Sequence, residues 1–372
     1  MDNIVVLGGS FLQSYFIRNA ISSCNVYVLD GDKNCFASQN NLGFFYNIDF
    51  SDVEEVIAFC QKFEINSVIA PVNEQGNLIA SIVSHELGFL YNNPKVVLAT
   101  TDKSFYDDIL KDSFLKRLQI YDELDLNKIN YPVIVKPTQS TSSKGVSLVY
   151  NSSNLNDAII YAKASGRIDK IKIEEYIEGK QFSIETISFH GIHRIVAVVE
   201  EHLSDPPFFF ERSDFLDVEM QNTYCRDFEN YVKNLLSLFN ITVGACHVEL
   251  RVRNSDIYLI DFASRSGGWR DIMLEFSGIN YNQLILDSYL GKSNADIVFI
   301  PIFSVGAGIL LYKDDIINYE EAFKSKFFVS KHFNNSDPVD VPKSLSDAYG
   351  YYFVKGGSRT DLSQLLPIKI NL

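Results

Sequence analysis

Apolar and polar positions along the chain follow two periods, and over the opening third they take turns. "NIVVLGG" (3–9) is an unbroken apolar run ending in glycines, which reads as a buried strand. "SFLQSYFIRNAI" (10–21) then repeats its apolar residues at helical spacing, with Ser10 placed to cap the helix. "NVYVLD" (25–30) is a second strand ending in Asp30, and "VEEVIAFCQKF" (53–63) an amphipathic helix. "INSVIAP" (65–71) is a third strand and "NLIASIVSHEL" (77–87) another helix. Strand and helix in alternation predict a parallel sheet covered on both faces.

From about residue 95 the pattern changes to α+β. "TDKSFYDDILKDSFL" (101–115) predicts a helix capped by Thr101 or Asp102. "YPVIVKPTQSTSSKGVSLVY" (131–150) reads as a strand, a polar loop and a strand, with Lys136 closing the first strand. Loops rich in Ser, Thr and Gly offer N–H and hydroxyl groups to phosphate oxygens, although an ordinary hairpin connection has the same composition. "IKIEEYIEGKQFSIETISF" (171–189) gives a short strand, an acidic hinge with Gly179, and a strand with alternating faces. "CRDFENYVKNLLSLF" (225–239) is an amphipathic helix. A last α+β stretch runs through "VGAGILLY" (305–312) to "YGYYFVKGGS" (349–358).

Between these, residues 248–253 alternate with period 2, "NSD" (254–256) is turn chemistry, and "IYLIDF" (257–262) is a second β-rich run. A hairpin centred on Ser255 places Glu249 opposite Asp261, on one face of the sheet. Facing like charges cost up to about 1 kcal/mol. A hard divalent cation between the two acids would remove that cost; a solvated hairpin whose acids face water is the alternative. His247 shares their face if alternation holds, and a structural role is the plainer account of it.

Composition narrows the possible functions. The 372 residues suffice for two or three domains, and 46% hydrophobic with 22% charged residues is an ordinary globular balance. A net charge of −14 argues against a general nucleic-acid or anionic-membrane binder, while leaving room for a local basic pocket. Five scattered cysteines without C-x-x-C spacing fit reduced thiols and a cytoplasmic setting. The opening lacks a basic leader, and no run of 18 apolar residues suggests a membrane span. "GGSFLQ" lacks the dinucleotide glycine spacing, so the first strand–helix turn reads as a tight turn and Asp30 as a strand-end acid. The six histidines form no H-x-x-x-H pair, and G-x-S-x-G is absent.

Six segments in order are "DK" (102–103), "VIVKP" (133–137), "SSKGV" (142–146), "EEYIEGKQFSIE" (174–185), "HVEL" (247–250) and "DFASRSGG" (261–268). Behind a Rossmann-like opening, this series resembles the ATP-grasp superfamily over nearly the whole chain, in its carboxylate–amine ligase branch. The resemblance implies a pre-ATP-grasp domain (1–97) and an ATP-grasp domain (98–300, lid roughly 104–173). A C-terminal α+β segment (301–372) would complete it, with ATP between two antiparallel sheets. By motif position, Lys103 and Lys136 would contact the α/β phosphates. The loop with Ser142, Ser143, Lys144 and Gly145 would close over them. Glu174, Glu175 and Ile177 would line the adenine, and Gln181 would stand at the ribose position. Glu249 and Asp261 would hold Mg²⁺, or Mn²⁺ in its place. Arg265 would steady the transferring phosphoryl group, and Gly267 and Gly268 would let backbone approach the substrate. The family usually has Glu where Asp261 stands, often an Asn ligand where Ala263 stands, and commonly Glu at the position of Gln181.

The implied activity is ATP-dependent ligation of a carboxylate and an amine through an acyl phosphate, releasing ADP and phosphate. An amino acid or other small carboxylate is the expected substrate. In "DPPFFFER" (205–212) the phenylalanines suggest an apolar wall or a packed core loop. Glu211 is a candidate for an ammonium group and Arg270 for a carboxylate. Small molecules are the expected partners, with no nucleic acid or membrane; a homodimer would follow the family's habit. The alternatives are a non-catalytic nucleotide-binding relative, a bicarbonate-using carboxylase-like enzyme, and a nicotinamide-dependent dehydrogenase, which the missing glycine spacing disfavours.

Overall fold

The structure is a computed structural model that describes the chain except residues 112, 124, 207, 293–298, 316–318, 335–338 and 368–372. Its opening is the alternating α/β unit that the pattern predicts. Strands β1 (Asp2–Leu7), β2 (Cys24–Leu29), β3 (Phe44–Tyr46) and β4 (Ser67–Ile69) form a parallel sheet in the order β3-β2-β1-β4. The helix Phe11–Ala20 starts at Ser10 with a reciprocal capping pair to Gln13. The Gln13 amide also donates to the Leu7 carbonyl at 2.7 Å, so its side chain fills the first turn. Asp30 accepts from the Gly9 N–H at 2.7 Å and closes that turn from the other side.

Within the stretch 101–115 predicted as a helix, the described residues form a single shorter helix, and a separate helix precedes it. Pro94–Thr101 begins with proline in its first turn behind an Asn93 cap, and Ser104–Leu110 follows. Asp102 is extended (φ −108°, ψ 108°) and breaks the path between them. Its carboxylate accepts from the N–H and hydroxyl of Ser104. That acid starts the second helix, as expected, but only after stopping a helix that periodicity did not reveal.

Two antiparallel sheets follow. The smaller contains β5 (Ile120–Tyr121), β6 (Val133–Pro137), β7 (Ser147–Val149) and β8 (Ile171–Glu175), in the order β5-β8-β6-β7. Val133, Val135 and Ile173 on one of its faces pack with Ala158 and Ala162 of the helix Leu155–Ser165. The alternate residues Ile134, Lys136, Lys172 and Glu174 are thereby turned to the other face.

The larger sheet has eight strands in the order β13-β12-β9-β10-β11-β14-β16-β15. They are β9 (Lys180–Phe189), β10 (Ile192–Leu203), β11 (Glu211–Leu216), β12 (Gly244–Arg253), β13 (Asp256–Ala263), β14 (Ser304–Leu310), β15 (Phe328–Phe333) and β16 (Gly350–Gly356). All neighbours are antiparallel, and the last three strands, from the C-terminal stretch, continue the same sheet. Phe182, Ile184, Val248 and Leu250 pack on Phe228, Val232 and Leu235 of the helix Gln221–Leu238. The odd-numbered residues of β9 and β12 consequently face the cleft, and that face carries the charged groups.

Among the described residues no helix is long and apolar enough to cross a membrane.

Candidate functional site

The two antiparallel sheets enclose a cleft of about 800 Å³, to which the N-terminal unit contributes Ser10, Phe11 and Glu74. Strand register assembles its floor. Glu249 lies opposite Asp261 on β13 and Ser183 on β9, His247 opposite Ala263 and Glu185, and Glu201 opposite Gln181 and Asp214. Cross-strand partners point to the same side, so polar residues from neighbouring levels of the ladder share one face across five strands. The β12–β13 pairing arises by an unforeseen route. Asn254 and Ser255, both at positive φ, make a two-residue turn that pairs Arg253 with Asp256. An irregularity between Glu249 and Leu250, with Ile260 as the extra residue, then shifts the register by one and brings Glu249 opposite Asp261.

Charge changes along this row. At the β13 edge, Lys103 Nζ is 3.0 Å from Asp261, and Lys136 donates to the Ile260 carbonyl at 3.2 Å. Burial raises the Asp261 carboxyl, but Lys103 and Lys136 outweigh it and hold it down at about 2. Tyr106 adds a hydroxyl donor at 2.8 Å. Toward β10 and β11 the acids prevail. Arg270, almost fully buried, bonds Glu201 at 2.7 Å, Glu211 at 2.8 Å and Asp214 at 2.6 Å. One guanidinium cannot neutralise three carboxylates. Burial and the Asp214 charge push the Glu211 carboxyl well above its usual range, and burial lifts Asp214 to about 6. The two candidate substrate contacts therefore hold each other: the Arg270 fork is saturated by protein acids, and Glu211 keeps part of its surface open to the cleft.

Across the cleft, Lys136 and Lys172 of the small sheet both reach Glu174, at 2.5 Å and 3.3 Å. Burial lowers the Lys136 amine, with Glu174 opposing it, whereas at Lys103 the Asp261 and Glu74 charges overcome burial and raise it. The 142–145 loop has three left-handed residues, Ser142 (φ 58°), Ser143 (φ 55°) and Gly145 (φ 82°), and Ser142 to Lys144 border the cleft. Such turns direct successive N–H groups to one side.

Arg265 lines the cleft beside the glycines. Glu74, in the first turn of the helix Glu74–Leu87, accepts from its guanidinium at 2.9 Å. The adjoining backbone is fixed by Ser266 N–H to the Pro71 carbonyl (3.0 Å) and by Asn77 to the Ser264 carbonyl (2.8 Å).

Of the seventeen candidate residues, all border the cleft except Gly145 and Gly267, which pack behind it. A Cβ at Gly145 would meet Ser165 at 2.6 Å, and one at Gly267 would meet His247 Nδ1 at 2.4 Å. Several candidates already have partners. Gln181 accepts from Arg251 at 2.8 Å and donates to Glu201 (2.7 Å) and Glu249 (3.3 Å). The Ile177 carbonyl accepts from Arg251 at 2.9 Å, and the Glu175 carboxylate accepts from the Gln119 N–H at 3.1 Å. Glu74, Glu185, Glu201 and Arg251 were missed. For Glu185 the available signal was alternation in "QFSIE", which puts 181, 183 and 185 on one face.

The donor set suits a hard divalent cation: Glu249 and Asp261 are oxygen ligands facing one another at the cleft, beneath the amines that would meet phosphate.

A family model described as "ATP-grasp domain" matches residues 129–272. A D-alanine–D-alanine ligase from Petrotoga mobilis is 25% identical over 200 residues, which span 52% of this chain and 63% of that relative. The L-amino acid ligase from Bacillus licheniformis superposes with a TM-score of 0.80 at 20% identity, covering 97% of this chain and 95% of the other. N5-carboxyaminoimidazole synthetase from Staphylococcus aureus, complexed with ADP, gives 0.75 at 16% identity, covering 98% and 95%. The fold is thus the ATP-grasp fold from end to end.

Proposed function

We propose that the protein is an ATP-dependent ligase joining a carboxylate to an amine, with an amino acid or similar small acid as substrate. The observation that carries this reading is the charge gradient on the cleft floor. Lysines and an arginine gather where phosphates would lie, and incompletely compensated carboxylates gather on β10 and β11, beyond β12 and β9. An anionic nucleotide fits the first end and a cationic amine the second.

Lys103 and Lys136 would neutralise phosphate oxygens, with the 142–145 loop covering them. Glu249 and Asp261 would hold Mg²⁺, or Mn²⁺, which when bound supplies positive charge to the phosphoryl oxygens. Arg265 would stabilise charge that develops on the transferring group. An oxygen of the acid attacks the γ-phosphorus, the bond to ADP breaks, and an acyl phosphate forms. The amine then attacks the acyl carbon and loses a proton, and phosphate leaves with an oxygen of the acid. Glu211, partly open to the cleft, is placed to receive the amine as an ammonium group, while Arg270 keeps Glu211 in position.

The test is ADP and phosphate release from Mg-ATP with pools of acids and amines. Release should require both substrates. Arg265→Ala should reduce turnover by about 10²-fold or more with nucleotide affinity little changed. Equal loss of both would remove Arg265 from that role. ATP binding without turnover in any pool would favour the non-catalytic reading that Ala263 suggests.

A further inference from the structure

The geometry points to a cation site wider than the Glu249–Asp261 pair, in which His247 and Glu201 join Glu249 as ligands and favour Mn²⁺ over Mg²⁺. The inference rests on the proposed placement of a cation at Glu249.

Ligand atoms of Glu201, His247 and Glu249 lie within 4.8 Å of one another, and all three residues border the cleft. The Glu201 oxygens accept from Arg270 and from Gln181, each at 2.7 Å, so Glu201 would ligate through a remaining lone pair, as a carboxylate oxygen can. Fully buried Glu185 takes His247 Nδ1 at 2.5 Å, which turns Nε2 toward Glu249 at 3.4 Å. A carboxylate on the far nitrogen of an imidazole is the usual support of a metal-ligating histidine, because it fixes the tautomer and raises basicity. Glu185 also accepts from the Gly267 N–H at 3.2 Å, and the ring occupies the space that a side chain at Gly267 would fill. The Gln181 amide donates to one oxygen of Glu201 and one of Glu249, drawing the two carboxylates together. A glutamate at position 181 would add a further negative charge instead.

The register gives a second, independent reason. His247 is the direct cross-strand partner of Ala263. Ala263 carries no donor atom, and its methyl leaves the space on that face to the imidazole. His247 thus brings a donor atom to a level of the ladder at which β13 has none. An imidazole beside carboxylate ligands moves preference away from Mg²⁺, which favours carboxylate and water, toward Mn²⁺ and later metals.

The experiment is a titration of the purified full chain with Mn²⁺, following free Mn²⁺ by electron paramagnetic resonance, with Mg²⁺ as competitor. It is run on the wild type and on His247→Gln, Glu201→Gln and Glu249→Gln, each checked for an unchanged melting temperature. Expected are displacement of Mn²⁺ only by a large excess of Mg²⁺, and about tenfold or greater loss of Mn²⁺ affinity in both His247→Gln and Glu201→Gln. If Glu249→Gln alone weakens Mn²⁺, the wider site is wrong while the proposed Glu249 site stands. If none of the three alters Mn²⁺ binding, the proposed placement of the cation fails and the inference fails with it. Should His247→Gln unfold the protein, Glu201→Gln decides the matter.

Discussion

Adjacent glycines at the site have opposite requirements. A Cβ at Gly267 would lie 2.4 Å from His247 Nδ1 and 2.7 Å from Arg270 Cγ, and both side chains are tied into buried ion pairs. At Gly268 nothing lies within 4 Å of the added atom. Gly267→Ala should therefore cost about 1–3 kcal/mol of stability by overpacking, while Gly268→Ala should leave the urea midpoint nearly unchanged. Equal midpoints for the two variants would contradict the packing described around His247. Both glycines were visible in the sequence as a pair; which one supports the site depends on a histidine twenty positions earlier. The same limit applied to Arg270. Its guanidinium looked free to bind a substrate carboxylate, because its three acidic partners lie on other strands, 56 to 69 residues away. Local pattern carries no information about such pairings.

At the scale of elements, the sequence was most legible where contacts are local. The β12–β13 hairpin could be paired from its turn residues, and Glu249 does face Asp261. The expected centre at Ser255 was replaced by a two-residue turn plus an irregularity at Ile260, two changes that cancel in register. The helix Pro94–Thr101 was not legible, because its stop signal, Asp102, also starts the next helix. The β9–β10 hairpin holds a buried histidine with a testable consequence. His193 bonds Ser188 across the ladder at 2.9 Å. Burial, with a smaller effect from Lys233, lowers it from 6.5 to about 4. In the unfolded chain it titrates near its ordinary value, so between about pH 6.5 and 4 the unfolded state binds more protons. Its stability contribution is complete above that window and is lost as pH falls through it. His193→Gln should flatten the decline in melting temperature over this range; an unaltered slope would show that the group titrates alike in both states.

Taken as a whole, the molecule draws its site from every part of the chain. Glu74 and Asn77 of the opening α/β unit hold Arg265 and its neighbours, and the small sheet supplies Lys136. The C-terminal stretch reaches the 142–145 loop through the Leu345 N–H to Ser142 carbonyl bond at 3.0 Å. Segment order made the architecture legible because each segment brings one part of the cleft. The gradient of charge across the floor was not, since it exists only once β13, β12, β9, β10 and β11 stand side by side. That gradient is the basis for the proposed ligation by way of an acyl phosphate, and oxygen transfer tests it most directly. With an acid substrate labelled with ¹⁸O in its carboxylate, ATP and an amine, the account predicts that the released inorganic phosphate carries one labelled oxygen and that the other product is ADP. Unlabelled phosphate, or label appearing in AMP, would contradict it.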